Sequence, residues 1–295
     1  AGIRQFNFVG WELETLWRKG TADLAAGHLF LDEPTRKELV LEYVERLGRA
    51  QQLAAELNRI YSDPTADAAA EAAPVEAELA AERGRLAAIQ PLVEAIIEEQ
   101  VAEVLLAEGF GRVGHTWPPV RMHITPLPTI LIVSPRAEIR AIYNVPLQPG
   151  LVAPEREELE AAVTAQFDHS GYVTDIGGLG IYPAMIIEVA SLSYLVEVTA
   201  HEWAHHWLSL YPVGMLYNRS AAMRTINESA ASIVGKEVAR QVLIRYYPEF
   251  APPTPTAPPP ATAAPSSPPD PPPFDFRAEM GETRRTADGA GRRAH

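Results

Sequence analysis

Apolar residues between Asp32 and Phe110 recur at helical spacing. Val40, Val44, Leu47, Ala54, Leu57 and Tyr61 form one series; Val75, Leu79, Leu86, Val93, Ile97 and Val104 form a second. Positions three, four and seven apart share one face of a helix, so each series predicts an amphipathic helix. Asp32 stands where an N-cap is expected, with Pro34 in the first turn. Ser62-Asp63-Pro64 breaks the pattern. Two long helices joined by a short link predict an antiparallel hairpin over residues 32–110. Pro91 is expected to kink the second helix. The charged residues among them (Glu42, Glu45, Arg46, Arg49, Glu82, Arg83 and Arg85) read as solvated faces, with a partner-binding coiled-coil arm as the alternative.

The pattern then changes. Prolines punctuate residues 111–149, and short β-branched runs appear, such as Thr129-Ile130-Leu131-Ile132-Val133, which predict strands separated by turns. Residues 154–166 predict a short acidic helix. Gly177-Gly178-Leu179-Gly180-Ile181-Tyr182-Pro183 predicts a turn leading into a strand over 184–189. Helices and short strands in this order give an α+β class. The glycines lack GxGxxG spacing and open no helix, so no nucleotide site is expected.

The two ends differ from the middle. The segment 1–31 is rich in Phe and Trp (Phe6, Phe8, Trp11, Trp17), and the chain starts at Ala1 rather than Met. That predicts either a helix docked on the domain or the juxtamembrane foot of a lost N-terminal anchor. Between Ala251 and Pro273, 12 of 23 residues are proline. Proline fixes φ and has no N–H, so the tail 251–295 is predicted to be disordered and extended.

The chain has 295 residues, 47% of them hydrophobic, which is enough to bury a substantial core. Cysteine is absent, which excludes disulfides, thiolate ligands and a cysteine nucleophile. The net charge of −13 argues against nucleic acid as a partner, because such binding needs Lys and Arg to replace counterions. No apolar run reaches the roughly 18 residues that span a bilayer. The expected location is extracytoplasmic, or membrane-anchored and facing outward, with cytoplasmic as the alternative.

The strongest chemical signal is His201-Glu202-Trp203-Ala204-His205. Two histidines four residues apart on a helix stand one turn apart on one face, where both imidazoles can meet one Zn²⁺. Glu202 lies one step round, where it can act as general base on a metal-bound water. Ser191 or Ser193 can cap this helix, and Tyr211-Pro212 with Gly214 should end it. A non-metal helix with hydrogen-bonded histidines is the alternative.

A catalytic zinc needs a third protein ligand. A histidine six residues past the second is excluded, because Tyr211 stands there. An aspartate in a Gly-Thr-x-Asp context downstream of the histidines is absent. A glutamate on a second helix remains, and Asn227-Glu228-Ser229-Ala230-Ala231 provides it within a helix predicted from about Ser220 to Tyr247. Glu228 shares its face with Ala231, Ser232, Gly235 and Ala239, small residues that let two helices approach closely.

HEWAH followed by NESAA resembles the gluzincin branch of the zincin metallopeptidases. The pairing is similar to that in a family described as bacterial zinc aminopeptidases. The resemblance spans roughly residues 177–247. It implies a zincin-like catalytic region within 111–250, one Zn²⁺ held by His201, His205 and Glu228, Glu202 as base, and a peptide or protein substrate. Tyr217, Tyr182, His169, His206 and Arg224 are candidate donors to the developing oxyanion. His206 points about 100° away from His205, which suits a supporting or core role. His28, His115 and His123 carry no spacing signal. Asn227 is expected to support the site or cap a turn. Residues 177–189 read as an edge strand for extended substrate, or as a tight turn without that role. The rival functions are another zinc hydrolase, an inactive zincin scaffold, and a non-enzymatic interaction protein with a structural metal site.

Overall fold

The computed structural model describes residues 5–25, 27–62, 68–137, 140–251 and 282. The chain is α+β and sorts into two compact units. One comprises residues 7–127 and 176–251; the other is built on residues 128–175, with 1–6 and 252–295 assigned to it. The stretch 111–250 is therefore shared between the two. The predicted disordered tail falls on residues that, apart from 251 and 282, lie outside those described.

In the larger unit, α1 (Phe8–Ala25) precedes a helical hairpin of α2 (Glu33–Ser62) and α3 (Ala68–Ala107). Asp32 caps α2, its Oδ1 accepting the Thr35 N–H at 3.0 Å. Antiparallel pairing is visible in the ion pairs Arg85–Glu42, Arg46–Glu82 and Arg49–Glu78, whose numbers rise on one helix as they fall on the other. The charges predicted to be solvated faces do reach solvent, and all of them but Glu45 are also ion-paired, Arg83 to Glu188 at 2.7 Å. The buried stripe of α2 is Val40, Tyr43, Leu47, Ala50, Leu53 and Ile60. Tyr61, predicted on the apolar face, is 58% exposed, and its hydroxyl donates to Glu76. The helix α3 continues through Pro91, which can donate no bond to the carbonyl four residues back. The predicted link at Asp63 and Pro64 lies outside the described residues.

Two-residue strands β1 (Gly111–Arg112) and β2 (His115–Thr116) form a ribbon, followed by β3 (Met122–Ile124). Strands β4 (Thr129–Pro135), β5 (Tyr143–Leu147) and β6 (His169–Thr174) belong to the smaller unit, in the order β5-β4-β6 with antiparallel pairing throughout. The helix α4 (Ala153–Phe167) lies on that sheet, its Val163 clustering with Leu131, Leu147 and Val173 of the strands and with Leu151. It comes so close that a Cβ on Gly171 would sit 3.1 Å from Val163 Cβ.

The larger unit resumes with β7 (Gly178–Leu179) and β8 (Ala184–Ile186). Its sheet runs β3-β8-β7, with β3 parallel and β7 antiparallel to β8. The predicted strand 184–189 is thus shorter than expected, and the glycine turn itself carries the edge strand β7. Next come α5 (Leu192–Leu208), the short α6 (Pro212–Met215) and α7 (Ala221–Tyr246). One apolar core joins α2, α3, β3, β8, α5 and α7 around Tyr43, Ile97, Met122, Ile186, Trp203 and Tyr247.

The free edge of β3 is closed by side chains. Glu98 accepts the Met122 N–H at 2.7 Å, and Glu94 accepts the Ile124 N–H at 2.8 Å. Both carboxylates are buried and share the Lys19 ammonium of α1 at 2.9 and 2.7 Å. These bonds, with Trp11 tilted against His123, seat α1 on the unit. Its Val9, Leu13 and Trp17 are exposed. Among the described residues no helix is long and apolar enough to cross a membrane.

Candidate metal centre

The helix α5 begins where its cap predicts: Ser191 Oγ accepts the Tyr194 N–H. Ser220 does the same for α7, accepting the Met223 N–H at 3.1 Å. The two helices are packed side by side, and the small residues of α7 set their distance. Ala231 and Ala239 are buried at the contact. A Cβ on Gly235 would lie 2.9 Å from the Glu197 carbonyl oxygen and 3.1 Å from His201 Cβ. Only a glycine lets the backbones approach this far.

This approach brings the three predicted ligands together. His201 Nε2 and His205 Nε2 stand 3.1 Å apart, and Glu228 Oε2 lies 3.6 and 3.5 Å from them. A tetrahedral ion with bonds of about 2.0–2.1 Å sets its ligand atoms about 3.3–3.4 Å apart. The donor set, two imidazoles and a carboxylate, is the one zinc favours, so the residues fit that ion in type and spacing. Among the described residues these three form the one His/Asp/Glu cluster of this kind. All three side chains reach solvent, Glu228 the most.

The surroundings suit the candidate ligands to that role. Asn227 Oδ1 accepts from His205 Nδ1 at 2.6 Å, while its amide nitrogen donates to the Val213 carbonyl at 3.4 Å. That amide orientation puts the proton on Nδ1 and the lone pair on Nε2, the nitrogen facing the cluster. Asn227 is thus a support for His205 rather than a turn cap. Burial, and then the neighbouring His205, hold His201 below the usual imidazole range, which favours the neutral form that a ligand must have.

Glu202 lies on the inner side, 6% exposed. Burial, and then the Glu228 carboxylate, push its carboxyl up to about 8. A cation at the cluster acts in the opposite sense. The β7 turn lies directly against this carboxyl. A Cβ on Gly178 would fall 2.3 Å from Glu202 Oε1, and one on Gly180 would fall 3.1 Å from Oε2 and 3.3 Å from His205 Cβ. A side chain at 178 would displace the buried carboxyl and Val198, whereas one at 180 would ask Glu202 and His205 to give by a few tenths of an ångström.

Three side chains hold that turn. The Tyr194 hydroxyl donates to the Gly177 carbonyl at 3.1 Å, and His206 Nε2 donates to the Ile181 carbonyl at 2.8 Å. The Tyr182 ring meets His206 edge-on. His206 is therefore the supporting residue its position on the helix predicts. In the sequence, the signal for Tyr194 is its place two turns before Glu202 on the same face.

Of the candidate donors, Tyr217 is the one at the ligands. Its hydroxyl donates to Glu228 Oε1 at 2.6 Å, and its ring meets His205 edge-on. Burial and then that hydrogen bond push its phenol up to about 12, so it keeps its proton at neutral pH. Arg224 lies over the Tyr217 ring. His169 belongs to the smaller unit, where it bonds the Phe167 carbonyl. His123 pairs with Glu94, away from the cluster. Compared with known protein families, curated proteins and solved structures, the chain has no match in any of the three.

Proposed function

We propose that this chain is a zinc-dependent metallopeptidase of the gluzincin type, built on a zincin-like catalytic region. The observation that carries the reading is the convergence of His201 Nε2, His205 Nε2 and Glu228 Oε2 at ligand spacing on a solvent-facing side, with the Glu202 carboxyl beside them. A structural zinc takes four protein ligands, whereas a catalytic one keeps an open position. Three groups meet here among the described residues, which supports the enzyme over an interaction protein with a structural metal.

Zinc held by the three groups would supply the charge that polarises a scissile carbonyl and acidifies a water. Glu202 takes one proton from that water as its oxygen bonds to the carbonyl carbon. It then passes the proton to the amide nitrogen as the C–N bond breaks. The products are an amine and a carboxylic acid, which ionises to solvent. The protonated Tyr217 phenol, which donates to Glu228 Oε1 in this structure, would exchange that bond to donate to the oxygen that gains charge. The edge strand β7, whose backbone lies on Glu202, offers an extended peptide its free side for pairing.

The test uses two variants. Glu202→Gln is expected to retain zinc and lose about 10²–10⁴-fold in peptide hydrolysis. Glu228→Ala is expected to lose zinc affinity. Equal cleavage by Glu202→Gln, measured on a quenched-fluorescence peptide library, would remove the base from the reading.

A further inference from the structure

Most guanidinium groups on the larger unit are tied to a carboxylate, as Arg46, Arg49, Arg85, Arg240 and Arg245 illustrate. Arg224 differs. Among the described residues it has no ion pair and no side-chain hydrogen bond; its Cζ lies 5.6 Å from the centre of the Tyr217 ring. That same ring carries the hydroxyl bonded to Glu228. Arg224 also stands four residues before Glu228 on α7, on the same face and about 6 Å away along the axis. Stacking on the ring fixes the direction of the side chain and leaves its N–H donors unused. A cation thus waits beside the metal ligands, in a chain whose net charge is −13.

We propose that Arg224 selects substrates bearing a carboxylate within one residue of the scissile bond, an inference that rests on the peptidase reading above. A planar guanidinium receives a carboxylate through two parallel hydrogen bonds. One extended residue spans about 3.3–3.6 Å, a step short enough to place such a carboxylate beyond the Tyr217 ring while the preceding carbonyl lies at the ligands. The carboxylate is either the C-terminus of a peptide or the side chain of Asp or Glu. Arg224 is here a specificity residue; Glu202 and Tyr217 serve the bond itself.

The experiment uses the full chain loaded with zinc. In the first arm, N-acylated tripeptides with a free C-terminal carboxylate are compared with their amides. In the second, C-amidated peptides differ only by Glu or Gln beside the cleaved bond. In the third, mercaptoacetyl-leucine and mercaptoacetyl-leucinamide are titrated calorimetrically, which requires no turnover. The expected preference for the carboxylate form is about 10- to 100-fold. It should fall toward 1 in Arg224→Gln and recover in part in Arg224→Lys. Preference in the first arm alone assigns the chain terminus; preference in the second assigns an acidic side chain. Equal preference in the parent and Arg224→Gln, or none in any arm, overturns the assignment. Cleavage without discrimination leaves the peptidase reading standing and removes Arg224. Discrimination in the calorimeter without cleavage of any peptide does the reverse.

Discussion

Gly235 is the point at which the proposed metal site depends on helix packing. In an exposed helix, replacing Gly by Ala stabilises by about 0.8–1.0 kcal/mol. Here the new Cβ would stand 2.9 Å from the Glu197 carbonyl oxygen, 3.1 Å from His201 Cβ and 3.4 Å from His201 Cα. Carbon and oxygen in such contacts normally lie about 3.3–3.6 Å apart, so α5 must retreat by roughly 0.4 Å. The atom in the way is main chain, which cannot turn aside as a side-chain tip can. Overpacking of this kind costs about 1–3 kcal/mol, which cancels the helical gain and leaves a net loss of about 0–2 kcal/mol. The displaced residue is His201 itself, and metal–ligand distances tolerate only about ±0.2 Å. Gly235→Ala is therefore expected to bind zinc about tenfold more weakly. Urea unfolding with chelator present reads the packing loss; competition with a chromophoric chelator reads the affinity. A variant that gains about 1 kcal/mol and binds zinc as the parent does would refute the claim that a close helix crossing builds the site.

Two further perturbations separate local support from the fold. Asn227→Ala removes the acceptor of His205 Nδ1 and is expected to lower zinc affinity about 10–100-fold, with Asn227→Asp recovering most of it; unchanged affinity in chelator competition would exclude the support role. Lys19→Met takes the shared ammonium from the buried Glu94 and Glu98 and leaves them His123 and Arg121 as partners, an expected loss of about 1.5–3 kcal/mol at pH 7. The pH dependence of the Glu94 contribution should also change sign, whereas burial already holds Glu98 above the usual carboxylate range in the parent. In the parent, burial is outweighed by Lys19 and His123, and Glu94 is held at about 2, below the 4.5 usual for a glutamate. Its contribution is therefore present above about 4.5 and fades as pH falls toward 2. Without the ammonium, burial raises the carboxyl instead, so the deficit should shrink as pH falls from 7 to 5. Denaturant unfolding at both pH values checks this, and an equal deficit at both would contradict it.

Much of the site is legible in the sequence because its determinants are local. The spacing of His201 and His205 sets their common face, Ser191 and Ser220 mark two helix starts, and Ala231, Gly235 and Ala239 mark the face on which α7 meets α5. Each is a property of a few neighbouring residues, and periodicity reads such properties directly. Asp32 and the acidic helix α4 are legible for the same reason.

The parts that escape periodicity are those in which a polar side chain answers a group far away in the chain. Glu94 and Glu98 sit among apolar residues of α3, and nothing nearby says that they accept the N–H groups of β3, 24 and 30 residues on. The hairpin charges look like solvated faces until α2 and α3 are laid together, after which Arg46 and Arg85 are seam residues. The pairing of β3 with β8 joins Met122 to Ala184 across the whole of the smaller unit, so no local turn announces it. That pairing matters for chemistry. It anchors β8, β8 carries β7, and β7 lays Gly178 and Gly180 against Glu202. Glu202, the proposed general base, is picked out by its place in a five-residue motif, whereas its dry environment depends on contacts between residues 60 or more positions apart. A loss of packing at β3 should reach Glu202 before it reaches the proposed ligands, because His201, His205 and Glu228 are braced as well by the α5–α7 contact and by Asn227.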